Sequence, residues 1–391
     1  MRNKNDVTYN MFKRTELHDN QLSCFATKNA DCLKLNEKIS KEGRFDIRWP
    51  FEKDVDRVLY SKGYARYVDK TQALSFFNNA HISRRSLHVQ WVSRISRQIG
   101  RGLNLNLDLI EAIALGHDLG HTPYGHVGEN ALNKKLQEVK FGYFAHNANS
   151  VRNLLYIERL GRGYNISLQV LDGILSHNGE MLTKKYEPDI NKNIDQFWYE
   201  YSSCWSEENF SRKIKPMTLE GCVVRVSDII AYVGKDCEDA IDVNIIKSED
   251  IPSSVTKVLG NTNTSIINAL IGDIVTNSYQ KPHLSFSNEV YQALKDLLSF
   301  ITKRIHSHPV LLQQDIKLQR LVSEMYDTCL INLKNKDVNS EVYQYYLSMS
   351  KDYQQNALEL ITSDYISGLT DNYLLDQYEK TFLPIQYGRV L

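Results

Sequence analysis

His117-Asp118-Leu119-Gly120-His121-Thr122-Pro123-Tyr124-Gly125-His126-Val127-Gly128-Glu129 follows an apolar run, Leu109, Ile110, Ile113, Ala114 and Leu115, whose spacing predicts a helix with one buried side. The stretch holds three histidines and two carboxylates where glycine and proline punctuate the chain. That is metal-site chemistry. His117 and Asp118 are adjacent, so both reach one ion only if the helix supplies one side chain and its fraying end the other. Further ligands must then come from other helices. His88, on the amphipathic stretch 85–92, and Asp228, on the stretch 223–232, are the candidates. Seven of the eleven histidines fall between His81 and His177, which favours a site over scattered surface residues. Two imidazoles and two carboxylates suit Mn²⁺, Fe²⁺, Co²⁺ or Zn²⁺ better than Ca²⁺, which prefers an all-oxygen shell. With no thiol in the set, an open site with room for water and substrate is expected rather than a closed structural zinc.

Working outward, the chain reads as helical nearly throughout. Val89, Val92, Ile95 and Ile99 recur at helical spacing, with Gly100 and Gly102 as a stop signal, and Asn106 can cap the next helix. Further helices are expected over 129–138, 148–160, 167–177, 218–241, 290–306 and 316–333. The stretch 180–216, rich in Lys, Asn, Tyr and Trp, is expected to be a loop-like insert, too long for a plain connector and so a lid or an interaction element. The expected organisation is a polar N-terminal segment 1–43, a core 44–245 and a C-terminal helical region 246–391. The fold class is all-α.

The chain has 391 residues with 47 basic and 47 acidic side chains, so no global field draws it to nucleic acid or membrane. No apolar run approaches the about 20 residues that span a bilayer, and the polar start Met1-Arg2-Asn3-Lys4-Asn5-Asp6 lacks a signal-peptide core; a cytoplasmic protein is expected. Six cysteines without C-x-x-C spacing read as reduced packing thiols.

Residue placement suggests further roles. His126 and Glu129 lie i, i+3 across a helix start, so the carboxylate can orient the imidazole as a general acid or base requires. Arg85, three residues before His88 on the same helical face, is placed to hold a phosphate oxygen; an exposed arginine is the alternative. Asp228, Tyr232 and Asp236 share one helix face at i, i+4 and i+8. Taken singly, His121 and His146 read equally well as satisfied core histidines, and His177 as a helix-end packing residue.

The order His…His-Asp…Asp, with the wording around it, resembles the HD-domain phosphohydrolases, specifically their deoxynucleoside triphosphate triphosphohydrolase branch, the bacterial dGTPase-like proteins. The blocks that carry the resemblance are Pro50-Phe51-Glu52-Lys53-Asp54-Val55-Asp56-Arg57, Lys70-Thr71-Gln72, Arg85-Ser86-Leu87-His88, the His117 to Glu129 run, Phe144-Ala145-His146-Asn147, His177-Asn178-Gly179 and Asp228-Ile229-Ile230-Ala231-Tyr232. A weaker echo follows at 364–373. The match is good from about residue 44 to 243 and thin elsewhere.

The resemblance implies an HD-domain helical fold with an appended C-terminal helical region, and a metal-dependent enzyme converting a dNTP and water to deoxynucleoside and inorganic triphosphate. It implies His88, His117, Asp118 and Asp228 as metal ligands, with Mn²⁺ the first choice and Fe²⁺, Co²⁺, Mg²⁺ or Zn²⁺ as alternatives. His126 and Glu129 would form the catalytic dyad, and His121 and His146 would contact phosphates or assist proton transfer. Gln72 would meet the 3′-hydroxyl, Tyr232 and Asp236 would line the deoxyribose, and His177 would complete the site. Relatives also suggest a homo-oligomer, an allosteric dNTP and single-stranded DNA as partners. Two departures stand out: Ala65 and Tyr67 interrupt an Arg-Arg-Leu-like block, and Asn372 replaces a common arginine. The alternatives are another HD-domain hydrolase, such as a monophosphatase or phosphodiesterase, and a catalytically silent nucleotide- or nucleic-acid-binding regulator.

Overall fold

The computed structural model describes residues 4–35, 47–75, 79, 81–178 and 181–384. Parts of the expected N-terminal segment, 1–3 and 36–43, and Gly179 and Glu180 lie outside the described residues. The helices longer than one turn are α1 (Lys4–Gln21), α2 (Pro50–Leu59), α3 (Arg85–Leu103), α4 (Leu107–Gly116), α5 (His126–Glu138), α6 (His146–Arg152), α7 (Leu168–Leu175), α8 (Ile194–Ser206), α9 (Leu219–Asp242), α10 (Ser253–Leu259), α11 (Asn263–Ser278), α12 (Asn288–Phe300), α13 (Pro309–Lys334), α14 (Leu358–Gly368) and α15 (Asp371–Phe382). Among the described residues the only sheet is a two-residue antiparallel pair, Lys185–Tyr186 with Leu284–Ser285, in which Tyr186 faces Leu284. The fold is all-α. No helix among the described residues is long and apolar enough to cross a membrane.

The centre of the molecule is α4. Leu109, Ile110, Ala112, Ile113, Ala114 and Leu115 are all buried, so this helix is apolar around most of its circumference and takes neighbours on several sides. It packs against α2, α3, α7 and α9. Its start is held as the sequence suggests, with Asn106 Oδ1 accepting from the amides of Asp108 and Leu109. Thr218 caps α9 in the same way through Gly221 N.

The expected stop at Gly100 and Gly102 is corrected. The helix α3 runs through both glycines to Leu103 and ends at Asn104, which adopts the left-handed conformation at φ 57°. Gly100 is instead a close-approach position: a Cβ there would stand 2.3 Å from Ile110 Cδ1, so glycine lets α3 and α4 touch. The helix expected over 148–160 also divides. It is α6 to Arg152, then a π-turn over Asn153–Ile157, after which the chain reverses through Arg159 and Leu160 at positive φ. Similarly, α12 passes into a π-turn over Ile301–His306.

The stretch expected to be loop-like contains α8, capped by Asn193 at Gln196 N, with Phe197, Tyr201 and Cys204 buried at helical spacing. Most of its aromatic residues form a packing face, with Phe197 and Tyr201 buried and Trp198 and Trp205 against the core, while Tyr199 is exposed. Lys192 anchors it, donating to Asp172 of α7 at 2.8 Å and pairing with Glu200 at 2.7 Å.

Two apolar cores result. The first runs from Phe51 to Leu311 and includes α3, α4, α7, α9 and α12; the second joins α5 to α13 and α14 through residues such as Leu132, Leu136, Val322, Tyr326 and Ile361. A buried ion pair ties α6 to α14. Arg152 Nε and Nη2 each donate to Asp364 at 2.7 Å, and Tyr353 Oη donates to the same carboxylate at 2.7 Å. Removing one member leaves the other charged and desolvated, which costs about 3–5 kcal/mol, whereas an apolar pair of similar volume is often neutral or better. Asp364→Ala is therefore expected to lower the denaturation midpoint strongly, and the double variant Arg152→Met with Asp364→Leu to recover most of the loss. A double variant no better than the single one would show that the pair contributes more than mutual compensation.

Candidate active site

The end of α4 delivers His117 and Asp118 into a polar pocket. His117 Nδ1 donates to Ala114 O at 2.6 Å, so the ring turns its Nε2 toward His88 and Asp228. That Nε2 atom is buried and has no hydrogen-bond partner. It stands 3.4 Å from Asp118 Oδ1 and 3.8 Å from Asp228 Oδ1, while His88 Nε2 lies 2.9 Å from Asp228 Oδ1 and 4.0 Å from Asp118 Oδ2. Burial lowers the His117 imidazole, but Asp118 and Asp228 outweigh it and bring it up to about 9. Burial pushes the Asp118 carboxyl up, yet His117 and Arg85 hold it well below the usual range. The pocket thus favours a positive charge at this point. His88, His117 and Asp228 offer ligand atoms within 4.8 Å of one another and could hold a metal ion; Asp118 with His146 and His177, and His121 with His126, Glu129 and His146, form two further such groups.

Gly120 decides what comes next to this cluster. A Cβ there would stand 2.2 Å from Ser150 N and 2.3 Å from His146 O, so only glycine lets the chain after His117 lie on α6. That contact brings His121 onto His146, with ring centroids 3.9 Å apart and nearly parallel. The two adjacent rings belong to one chain of contacts. His126 Nδ1 is 2.9 Å from Glu129 Oε2, and His146 Nδ1 is 2.9 Å from Glu129 Oε1. His146 Nε2 is 3.1 Å from His177 Nε2, and His177 Nδ1 donates to Ile174 O at 2.6 Å.

Sequence spacing pairs Glu129 with His126 alone; the fold has it bridge two histidines. Burial, with His117 and His146 nearby, brings His177 down to about 3. The His146 ring thus lies between the neutral His177 ring at its Nε2 and the Glu129 carboxylate at its Nδ1. Burial raises the Glu129 carboxyl, but His146 and His126 hold it well below its ordinary value.

A cavity of about 480 Å³ opens over this floor. Arg85, Asp118, His121, His126, His146, His177 and Asp228 line one part of it; Gln72, Tyr232 and Asp236 line it too, so these sequence-chosen residues meet there. Arg85 is buried, not exposed: its guanidinium donates to Asp118 Oδ2 and to the carbonyl of Thr71 at 3.2 Å. Gln72 Oε1 is buried without a hydrogen-bond partner.

His306, which sequence reasoning missed, enters from the π-turn after α12 and stands 3.0 Å from Asp236. A lone histidine 70 residues from its partner carries no local signal. The stretch after α8 also reaches the site: Asn209 and Phe210 line a second cavity of about 210 Å³ with His126, Glu129 and His146. Asn372, the departure noted above, has an internal partner in Asp69.

Residues 85–232 match the family model of the HD domain, and residues 284–380 that of the phosphohydrolase-associated domain. Among curated proteins, the deoxyguanosinetriphosphate triphosphohydrolase-like protein of Caldanaerobacter subterraneus subsp. tengcongensis is 34% identical over 369 residues, covering 94% of each chain. The protein of the same description from Clostridium tetani is 34% identical over 352 residues, covering 89% of each. The one from Rickettsia prowazekii is 27% identical over 399 residues, covering 92% of this chain and 98% of its own. The HD-domain match begins at Arg85 and ends at Tyr232, both of which line the large cavity.

The Glu129 geometry has a thermodynamic consequence. Its pKa in the fold lies below the ordinary 4.5, so its pairing stabilises the protein fully above that pH and is lost as pH falls through the depressed value. The stability gap between the native chain and Glu129→Gln is expected to be widest near neutrality and to close below pH 4.5. Thermal midpoints of both proteins from neutral to acid pH check this; a constant gap would mean the pairing is not its source.

Proposed function

This chain belongs to the HD-domain family of deoxyguanosinetriphosphate triphosphohydrolase-like proteins, and from that premise we propose that it hydrolyses deoxynucleoside triphosphates between the α-phosphorus and the 5′-oxygen, releasing deoxynucleoside and inorganic triphosphate. The observation that carries the reading is the unpartnered, buried Nε2 of His117 beside His88 and two carboxylates, Asp118 and Asp228, that line a cavity large enough for a nucleotide.

The donor set is that of a borderline divalent cation, with Mn²⁺ the first choice and Fe²⁺, Co²⁺, Mg²⁺ or Zn²⁺ as alternatives. His88, His117, Asp118 and Asp228 would hold it. When bound, it supplies Lewis-acid stabilisation of phosphoryl charge and acidifies water. The remaining work belongs to the chain. Arg85, fixed by Asp118 and the Thr71 carbonyl, offers its guanidinium edge to a phosphate oxygen. Glu129 holds His126 through Nδ1, which leaves proton exchange with the departing 5′-oxygen to Nε2. His121 and His146, stacked beside it, face the phosphates, and His177 fixes the His146 ring. Asp236 and the Gln72 amide oxygen would accept from sugar hydroxyls. Tyr232, one turn from Asp228, would crowd a 2′-hydroxyl and so favour deoxyribose.

The test is separation of the products formed from each of the four dNTPs with Mn²⁺ present. Inorganic triphosphate and deoxynucleoside are expected; monophosphate or orthophosphate would assign a different hydrolase. Glu129→Gln and His126→Asn are each expected to lower kcat by about 10²–10⁴-fold, and the double variant to be scarcely worse, as for residues acting as one unit.

Metal content provides an independent check. His117→Ala or Asp118→Ala should abolish metal retention and turnover while the circular dichroism of the helices persists, because the apolar cores do not depend on the ion. Full metal occupancy in both variants would remove these residues from the ligand set.

A further inference from the structure

The segment 367–371, between α14 and α15, is remote in sequence from the histidines, yet its polar groups end among them. Asp371 is buried at the first position of α15. One carboxylate oxygen accepts from Tyr124 N at 2.9 Å; the other accepts from Thr71 N at 2.9 Å and Thr71 Oγ1 at 2.5 Å. Tyr124 Oη donates back to the Asp371 carbonyl at 2.8 Å. Beside it, Lys70 Nζ donates to the carbonyls of both His121 and Ser367, and Asn149 Nδ2 donates to Gly120 O at 2.8 Å and Ser367 Oγ at 3.1 Å.

These bonds converge on two short segments that face the cavity. Residues 70–72 carry Gln72 and, through the carbonyls of Thr71 and Gln72, hold the Arg85 guanidinium. Residues 120–125 carry His121 and launch α5 at His126. Tyr124 and Gly125 both have positive φ, 61° and 57°. For a bulky side chain such as tyrosine this conformation persists only where its surroundings enforce it. Asp371 takes hold of this turn at Tyr124, by the amide and by the side chain.

We infer that Asp371 is a positioning residue for the reaction proposed above: its carboxylate sets the spacing between the segment bearing Gln72 and Arg85 and the turn bearing His121 and His126. It touches no reacting atom. The inference rests on the proposed reaction, and its effect passes through the aim of other groups, where a misplacement of about 1 Å can lower the rate by about 10²-fold.

The experiment compares the native chain with Asp371→Ala and Asp371→Asn by steady-state dNTP hydrolysis and by backbone hydrogen exchange. Both variants are expected to lose protection at Thr71 and Tyr124 while α3, α4 and α9 keep theirs. Their kcat should fall by about 10²-fold for alanine and less for asparagine, which retains one acceptor oxygen. Local loss of protection with kcat unchanged would overturn the assignment, because the spacing would then not matter to the reaction. Protection lost throughout the helical core of both variants would overturn it as well, making Asp371 a residue of global stability. If the native chain releases triphosphate from no dNTP, the reaction itself falls and this assignment with it, a result read from the native chain alone.

Discussion

Arg85 against Asp118 is the contact around which the site is built. Both side chains are almost fully buried, and a desolvated charge is tolerable only beside its opposite and with its other polar atoms satisfied. The neighbours meet most of that demand, leaving the Arg85 Nε without a hydrogen-bond partner. Arg85 spends its second nitrogen on the carbonyls of Thr71 and Gln72, and Asp118 turns its other oxygen to His117, His121 and His177, all within 3.8 Å. Of the groups around this carboxylate, Arg85 and His117 favour the charged form, whereas burial keeps His121 and His177 neutral; Asp228 at His88 and Glu129 at His126 and His146 add two further carboxylates. The result alternates in sign across the cavity floor, which suits a substrate that brings both phosphate charge and a cation.

Two histidines are aimed by the same device. His117 and His177 each stand just past the end of a helix, α4 and α7, and each donates Nδ1 to the carbonyl three residues back. A helix end leaves its last carbonyls without partners, so an imidazole placed there satisfies one of them and has its ring fixed with Nε2 outward. The chemistry at each ring nonetheless differs. Two carboxylates near His117 favour its charged form, whereas His177 faces other imidazoles and stays neutral.

The helices after residue 245 do not form a separate body. Those up to Leu311 share the first core with α3, α4 and α9, and those from Leu318 onward pack on α5. Each half closes on a different side of the cavity. The π-turn over Ile301–His306 contributes His306 beside Asp236, and the start of α15 contributes Asp371 beneath Tyr124. A site whose floor lies in one part of the chain is thereby braced by another, within the residues 284–380 that match the phosphohydrolase-associated domain.

Local physics in the sequence was enough for the helical class and for several of the helices. The run at Leu109 to Leu115, the caps at Asn106 and Thr218, and the concentration of histidines between His81 and His177 are all short-range signals, set by side-chain periodicity and by hydrogen bonds to neighbouring amides. Where sequence reading erred, the deciding force was long-range. Gly100 looked like a stop because glycine is a poor helix former, but α4 lies against it and needs the missing Cβ. The stretch 180–216, rich in Lys, Asn, Tyr and Trp, looked irregular because Phe197, Tyr201 and Cys204 become a packing face only once α8 has a core to lie on. Glu129 could be paired with His126 from spacing, but not with His146, and nothing near Asp371 in the chain points to Thr71 or Tyr124, 300 and 247 residues away. The identity of a side chain is local information; which buried lone pair it must satisfy is decided only when the folded chain removes water from both.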